Sequence, residues 1–133
     1  AAAGARFIVS PGFDPEIVDY CLEKQIPVFP GCMTPSEVAQ GVKRGLKVLK
    51  FFPAEQAGGL AMIKAMAAPY TTVKFMPTGG ISAKNLKEYL SCDKILCCGG
   101  SWMVKKDLIR EGKFDQIRDL AAEAKCLAEE ARK

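Results

Sequence analysis

Short apolar runs alternate with amphipathic stretches along the whole chain, and the alternation predicts five strand–helix units. Each run is rich in β-branched or aromatic residues and is bounded by turn residues, which is typical of a β-strand. Apolar residues recur at helical spacing after the strands, so the predicted order is βαβαβαβαβα. The predicted strands cover residues 6–10, 27–30, 47–52, 73–77 and 94–98.

Polar caps mark where the predicted helices begin. Asp14 stands before Pro15 at the start of the first helix. Thr34, Pro35 and Glu37 provide the second helix with an N-cap, a proline at the first helical position and a capping-box acid. Three further helices are predicted over residues 58–67, from Ser82 to about Leu90, and from about Asp115 onward.

This α/β alternation implies a parallel sheet with right-handed crossovers. Five units fit either an open doubly wound sheet or part of a (β/α)₈ TIM barrel. We favour the barrel, because eight units at this spacing need roughly 200 residues, the small end of the barrel range. The sequence starts directly in a strand, and five units alone leave open sheet edges. We therefore expect residues 1–133 to be the C-terminal part of a single barrel domain, with strands 4–8 present and βα units 1–3 absent.

The composition of the chain excludes several classes of protein function. Apolar residues make up 49% of the chain and charged residues 26%, as in soluble globular proteins, and the net charge of +4 is dispersed. We expect no nucleic-acid partner, because no basic run is present. No apolar run is long enough to span a membrane. The six cysteines lack metal-site spacing and are expected to be small buried hydrophobes in a reducing cytoplasm.

The chain contains no histidine. Ser-His-Asp and Cys-His catalysis and imidazole metal sites are therefore excluded within it. Proton transfer must use carboxylates, lysine, tyrosine, cysteine or water.

Lys50 is the most informative single residue, because it interrupts an otherwise apolar strand near its carboxyl end. Strand alternation places Lys50 on the face opposite Leu49 and Phe51. Its stem could simply pack while its ammonium reaches the surface. Alternatively, desolvation lowers its pKa until a neutral amine forms a Schiff base with a ketone or aldehyde. Barrel enzymes place catalytic groups at this end of their strands.

Two glycine turns follow the last two predicted strands: Gly79-Gly80 and Gly99-Gly100, the latter followed by Ser101. Paired glycines let backbone N–H groups approach an anion, and a helix N-terminus favours negative charge. Either glycine pair alone could simply form a tight turn that binds no anion. Because barrels often hold phosphate at the loops after strands seven and eight, the two turns together predict a phosphate site there.

Several motifs occur in order along the chain, and together they resemble the bacterial 2-keto-3-deoxy-6-phosphogluconate (KDPG) and 2-keto-4-hydroxyglutarate (KHG) aldolases. The most specific are KFFPAE, at 50–55, and PTGGIS, at 77–82. The others are Ser10-Pro11-Gly12, Pro30-Gly31, Met33-Thr34-Pro35-Ser36-Glu37 and Gly99-Gly100-Ser101-Trp102.

The resemblance implies a class I, metal-independent carbon–carbon lyase without a cofactor, on an eight-stranded barrel that usually forms a homotrimer. It implies cleavage of the phosphorylated keto acid KDPG to pyruvate and glyceraldehyde 3-phosphate in the Entner–Doudoroff pathway. Cleavage of 4-hydroxy-2-oxoglutarate to pyruvate and glyoxylate is a second implied activity. The cytoplasm is the expected location.

The resemblance also implies site residues. It makes Lys50 the Schiff-base lysine. Pro11, Phe52 and Thr78 match the substrate pocket, and the phosphate-binding loops are matched by Gly79, Gly80, Gly100 and Ser101.

The front of the family pattern is missing. The family's first three units carry a catalytic glutamate, an arginine for the substrate carboxylate and a Gly-Ala-Gly-Thr turn, whereas Arg6 and Glu16 come too late to match. Glu55 is a weaker candidate base, because carboxylates just after strands commonly cap helices or pair with cations. Two alternatives remain: a non-covalent phosphate-binding isomerase or epimerase, and a catalytically incomplete aldolase fragment.

Overall fold

A computed structural model describes residues 1–133 and contains five short strands and six helices. The strands are β1 (Ile8–Val9), β2 (Val28–Phe29), β3 (Gly31–Cys32), β4 (Val48–Phe51) and β5 (Lys74–Pro77). The helices are α1 (Pro15–Glu23), α2 (Pro35–Lys43), α3 (Gly59–Ala67), α4 (Leu86–Leu90), α5 (Lys106–Arg110) and α6 (Phe114–Glu130).

All strand pairs are parallel, and spatial neighbours follow the order of the chain. Pro30 separates β2 from β3, and its carbonyl accepts the Lys50 N–H at 2.9 Å, so β2 and β3 act as one bent strand beside β4. A doubly wound sheet requires a point where the strand order reverses. No such reversal occurs here, so the sheet has the topology of a barrel wall.

The predicted strand over residues 94–98 does not form a regular strand. This segment meets β5 only through isolated parallel bridges, Phe75 to Ile95 and Thr78 to Gly99. The bridging residues are three positions apart in the first segment, from Phe75 to Thr78, and four positions apart in the second, from Ile95 to Gly99. The extra residue interrupts the ladder, as in a β-bulge.

The helix caps largely follow the sequence predictions. Asp14 accepts the N–H groups of Glu16 and Ile17 at the start of α1, and the Thr34–Glu37 capping box of α2 is present. The prediction that Ser82 begins a helix is wrong, because α4 starts at Leu86. The Ser82 N–H instead donates to the Asn85 side chain, which holds residues 82–85 as a turn. The short helix α5 was not predicted.

The main core lies between the sheet and the helices that cover its outer face. Leu49 and Phe51 of β4 and Phe75 of β5 are fully buried there, against Ile63 of α3 and Tyr89 of α4. The opposite face of β4 is only half-buried. The side chains of chemical interest therefore project from the inner face, at the carboxyl ends of β4 and β5.

All six cysteines are free thiols, and their burial differs from the prediction. Cys21 and Cys32 are buried as expected, but Cys126 is exposed. Cys126 lies on α6, which has no fully buried residue. Among the helices, none combines the length and the hydrophobicity that crossing a bilayer requires.

Candidate active site

Lys50 projects from the inner face of β4 because its neighbours occupy the outer face. Leu49 and Phe51 are 0% exposed among the helices, and strand alternation directs Lys50 to the other side. Its register partners are Gly31 of β3 and Met76 of β5. The lysine is therefore fixed in the middle of three parallel strands, with its side chain half-buried.

The Lys50 ammonium lies over an aromatic ring and has no acidic partner. Its Nζ atom lies 4.6 Å from the centroid of the Phe52 ring, and no carboxylate forms an ion pair with it. Partial burial lowers the pKa of Lys50 below its ordinary 10.5. This is the direction that nucleophilic attack by a neutral amine requires.

A cleft of about 380 Å³ opens beside Lys50. Both glycine turns contribute to its wall, so the structure brings the candidate nucleophile and the candidate anion site together. The lining residues are Lys50, Phe52, Thr78, Gly79, Gly99, Gly100 and Ser101.

Thr78 lines this cleft and carries an unpartnered hydroxyl. Its backbone is fully engaged: the N–H donates to the Phe51 carbonyl at 2.9 Å and the carbonyl accepts the Ala54 N–H at 2.8 Å. Its Oγ1 atom, however, is buried without a hydrogen-bond partner. Buried hydroxyls normally have partners, so this oxygen is well suited to bind a ligand.

The Gly79–Gly80 turn has a backbone that only glycine adopts easily. The φ angles are +97° and +79°. A Cβ on Gly80 would lie 2.5 Å from Cγ of Glu55, so a side chain has no room. The N–H groups of both glycines donate to no protein acceptor, which leaves two backbone donors for an anion.

The second turn lies beside the first because Gly99 bridges to Thr78. The N–H groups of Gly100 and Ser101 also lack protein acceptors. The Trp102 ring packs on Gly100, where a Cβ would lie 2.0 Å from Cζ3. Gly99 was missed as a lining residue, although its position beside Gly100 could have identified it.

The anion site is built differently from the prediction. Because α4 begins at Leu86, six residues after Gly80, its N-terminus does not cap the Gly79–Gly80 turn. The free N–H groups of the two turns are the candidate donors instead. Asn85 closes the first turn by donating from Nδ2 to the Gly80 carbonyl at 3.1 Å.

Two predicted residues lie outside the cleft wall. Gly80 is exposed behind Gly79. Pro11 is exposed on the loop after β1, where its carbonyl oxygen would be 1.9 Å from a Cβ on Gly31. Since Gly31 is the register partner of Lys50, Pro11 lies one strand away from the lysine.

Glu55 does not line the cleft either. Its carboxylate accepts a hydrogen bond from the hydroxyl of Tyr89, which is only 2% exposed. Helical periodicity identified Tyr89 as a core residue and gave no sign of this contact. The geometry as a whole offers an amine of lowered pKa, a free hydroxyl and four unpaired backbone donors, which suits a carbonyl substrate with an anionic group.

Comparison with known proteins agrees with this geometry. Residues 1–120 match the family model described as "KDPG and KHG aldolase". The 2-dehydro-3-deoxy-phosphogluconate aldolase of Treponema pallidum is 49% identical over 120 residues, which are 90% of this chain and 57% of that protein. The KHG/KDPG aldolase of Escherichia coli K12 is 46% identical over 122 residues, 92% of this chain and 57% of its own length.

Solved structures show the same likeness. The KDPG aldolase of Legionella pneumophila, with pyruvate captured at low pH as a covalent carbinolamine intermediate, superposes with a TM-score of 0.86 at 43% identity, covering 90% of this chain and 58% of that one. The Zymomonas mobilis enzyme with 3-phosphoglycerate superposes at 0.84 and 38% identity, covering 92% and 57%. The chain thus spans somewhat more than half the length of these relatives, and it belongs to the KDPG and KHG aldolase family.

Proposed function

We propose that this chain carries the Schiff-base and phosphate-binding part of a class I aldolase. The substrate is KDPG, cleaved to pyruvate and glyceraldehyde 3-phosphate, and 4-hydroxy-2-oxoglutarate is a second substrate, cleaved to pyruvate and glyoxylate. The observation that carries the proposal is that Lys50, Thr78 and both glycine turns share one cleft.

The reaction begins with the neutral amine of Lys50. Its lone pair attacks the C2 ketone and forms a carbinolamine, which loses water to give a protonated imine. The lowered pKa of Lys50 raises the fraction of neutral amine near pH 7. The unpartnered Thr78 hydroxyl is a hydrogen-bonding group for the keto acid at this position.

The cationic imine then serves as the electron sink. A base removes the C4 hydroxyl proton, the C3–C4 bond breaks, and its electron pair moves through the enamine to the nitrogen. Glyceraldehyde 3-phosphate leaves. Protonation of the enamine at C3 and hydrolysis of the imine release pyruvate and return the amine of Lys50.

The phosphate is bound at a distance from the breaking bond. The free N–H groups of Gly79, Gly100 and Ser101 line the cleft, so they are the donors that hold it. Such remote binding energy orients the keto group against Lys50. Gly80 supports the turn, and Pro11 lies beside the strand next to Lys50.

Two relatives support this assignment. The Legionella relative contains pyruvate as a covalent carbinolamine, and the Zymomonas relative contains 3-phosphoglycerate, a phosphorylated three-carbon acid. A non-covalent isomerase or epimerase would share the glycine turns but would make no use of the lowered pKa of Lys50.

The remaining finer assignments are parts of the same proposal. We assign the five parallel segments to strands 4–8 of a (β/α)₈ barrel, since both glycine turns then follow strands seven and eight. Cleavage then also depends on the glutamate and arginine that the family carries in units 1–3. A homotrimer acting in the cytoplasm in the Entner–Doudoroff pathway is proposed from family membership alone.

Borohydride reduction in the presence of pyruvate tests the covalent step. We expect a reduced pyruvate adduct on the peptide that contains Lys50, read by mass. Lys47→Ala is the matched control, because Lys47 is an exposed lysine immediately before the same strand. Lys50→Ala should lose the adduct while retaining the helical circular dichroism of the parent.

The rate of KDPG cleavage is a second test of the Schiff-base assignment. In a form of the enzyme that includes units 1–3, Lys50→Ala should abolish KDPG cleavage almost completely. An adduct on another residue, or turnover of Lys50→Ala within about tenfold of the parent, would refute the Schiff-base assignment.

A further inference from the structure

The partly buried Tyr89–Glu55 contact connects a core helix to the back of the anion-binding turn. Glu55 follows β4, and its N–H donates to the Gly79 carbonyl at 3.1 Å. Its side chain packs against Gly80, where a Cβ would be 2.6 Å from the Glu55 Cβ and 2.5 Å from its Cγ. The backbone and the stem of Glu55 therefore lie against this turn.

Only one protein group binds this carboxylate. The Tyr89 hydroxyl donates to Oε1 of Glu55, and no lysine or arginine forms an ion pair with it. Tyr89 itself is fixed, because its ring is 2% exposed in the main core. A rigid donor thus determines where a flexible acidic side chain lies.

Gly59 provides the space for the contact. A Cβ at Gly59 would lie 3.1 Å from the Tyr89 hydroxyl and 3.3 Å from Oε1 of Glu55. The bonded oxygen of Glu55 therefore lies over the start of α3. Without the Tyr89 hydroxyl, Oε1 would lose its one protein donor, while the Glu55 side chain would still pack against Gly80 of the Gly79–Gly80 turn.

We propose that Tyr89 is a positioning residue that holds the Glu55 carboxylate away from the free N–H groups of the Gly79–Gly80 turn, of which Gly79 lines the cleft. A carboxylate is an internal competitor for such donors, because it is itself an anion that accepts backbone N–H bonds. The inference rests on the proposed anion-binding role of this turn. Tyr89 does not contact the substrate but controls the affinity for its phosphate.

The test compares the affinity for inorganic phosphate among matched variants of this chain. Phosphate is titrated at constant ionic strength, and binding is followed through the amide shifts of Gly79, Gly80, Gly100 and Ser101. Tyr89→Phe should weaken binding by about tenfold, the effect of losing one charge-assisted hydrogen bond. Tyr70→Phe is the control, because that hydroxyl donates at 3.1 Å to the Pro35 carbonyl, outside the cleft.

The double variant Tyr89→Phe with Glu55→Gln separates charge competition from simple loss of rigidity. Glutamine is neutral and competes poorly, so phosphate affinity should recover to within about threefold of the parent. Glu55→Gln alone keeps an acceptor for Tyr89 and should bind phosphate at least as tightly as the parent. It also keeps the idea falsifiable if Tyr89→Phe fails to fold, because weaker binding by Glu55→Gln would overturn it.

Three results would overturn the inference: unchanged phosphate affinity in Tyr89→Phe, equal weakening in Tyr70→Phe, or no recovery in the double variant. Pyruvate trapping on Lys50 is measured in parallel and should be equal in all variants. Absence of trapping in the parent would overturn the proposed aldolase chemistry while the phosphate titrations still decide the role of Tyr89. A parent that binds no phosphate would overturn both the anion site and this inference.

Discussion

The Nζ atom of Lys50 lies 4.6 Å from the centroid of the Phe52 ring, two residues further along the same chain segment. The ring face attracts a cation and therefore favours the ammonium. Partial burial acts in the opposite direction, and the pKa of Lys50 is lowered from 10.5. The contact with the Phe52 ring therefore opposes the effect of burial on the pKa of Lys50.

Replacing Phe52 with leucine should lower the pKa of Lys50 further. Leucine retains apolar bulk but lacks the ring, and an exposed cation–π contact is worth about 0.5–1 kcal/mol. That loss corresponds to a fall of about 0.4–0.7 units in pKa. The rate of borohydride trapping as a function of pH measures it. A rise in the pKa would show that the ring acts mainly by desolvating the amine.

The lowered pKa of Lys50 also predicts a pH dependence of stability. Between the folded-state value and 10.5, the unfolded chain binds more protons at this site than the folded chain. The contribution of Lys50 to the free energy of unfolding therefore rises as the pH increases through that window. Lys50→Met lacks the titrating group. Urea unfolding of both proteins measures the difference between their free energies of unfolding. This difference should change in favour of the parent as the pH rises, and a difference that is independent of pH would contradict the lowered pKa of Lys50.

Gly80→Ala should destabilise the chain and weaken phosphate binding together. The φ angle of +79° costs a non-glycine residue about 1–2 kcal/mol, and the new Cβ would lie 2.5 Å from Cγ of Glu55. Gly12→Ala is the control, since a Cβ there meets nothing within 4 Å. Chemical denaturation should give a loss above about 2 kcal/mol for Gly80→Ala and none for Gly12→Ala. Equal stabilities would contradict the description of the turn.

Gly100→Ala should change the fluorescence of the single tryptophan. The added Cβ would lie 2.0 Å from Cζ3 of Trp102, so the ring must move off the turn. Emission should shift to longer wavelength as the indole, whose Nε1 is buried without a partner, becomes hydrated. Gly112→Ala is the control, because it adds a Cβ at a left-handed φ of +65° but into open space, far from any contact with the indole. A shift of the same size in Gly112→Ala would disprove the local explanation.

Much of the fold was predictable because its signals are local. Asp14, Thr34 and Glu37 cap their helices through contacts within three residues, which a sequence motif records directly. The alternation around Lys50 likewise requires only the two-residue period of a strand. The shared position of Lys50, Thr78 and the glycine turns follows from the rule that parallel strands end at one edge.

The errors and omissions depend on contacts between distant parts of the chain. The register slip that interrupts residues 94–98 is set by the pairing of Phe75 with Ile95 and of Thr78 with Gly99. The late start of α4 depends on Asn85, whose side chain binds both Ser82 and Gly80. Tyr89 fits the helical core pattern, and only the structure shows its hydroxyl on a carboxylate from another unit.

The capping box of α2 predicts a second pH-dependent contribution to the free energy of unfolding, one that is lost in acid. Burial raises the pKa of Glu37, but hydrogen bonds from the N–H groups of Met33 and Thr34 and from the Thr34 hydroxyl outweigh it and lower the pKa below 4.5. This stabilisation is present above the unfolded-state pKa and is lost as the pH falls through the folded-state value.

Thr34→Ala should therefore cost about 1 kcal/mol at neutral pH, the usual effect of losing an N-cap. The cost should shrink as the pH falls below 4.5, because protonation removes the charge of Glu37 and weakens the hydrogen bonds that it accepts in the cap. Urea unfolding of the parent and Thr34→Ala across this range measures the difference. Ser36→Ala is the control, because Ser36 is an exposed residue of the same helical turn that makes no side-chain hydrogen bond to the cap. If the cost of Thr34→Ala were the same at both ends of the range, the lowered pKa of Glu37 could not arise from the cap.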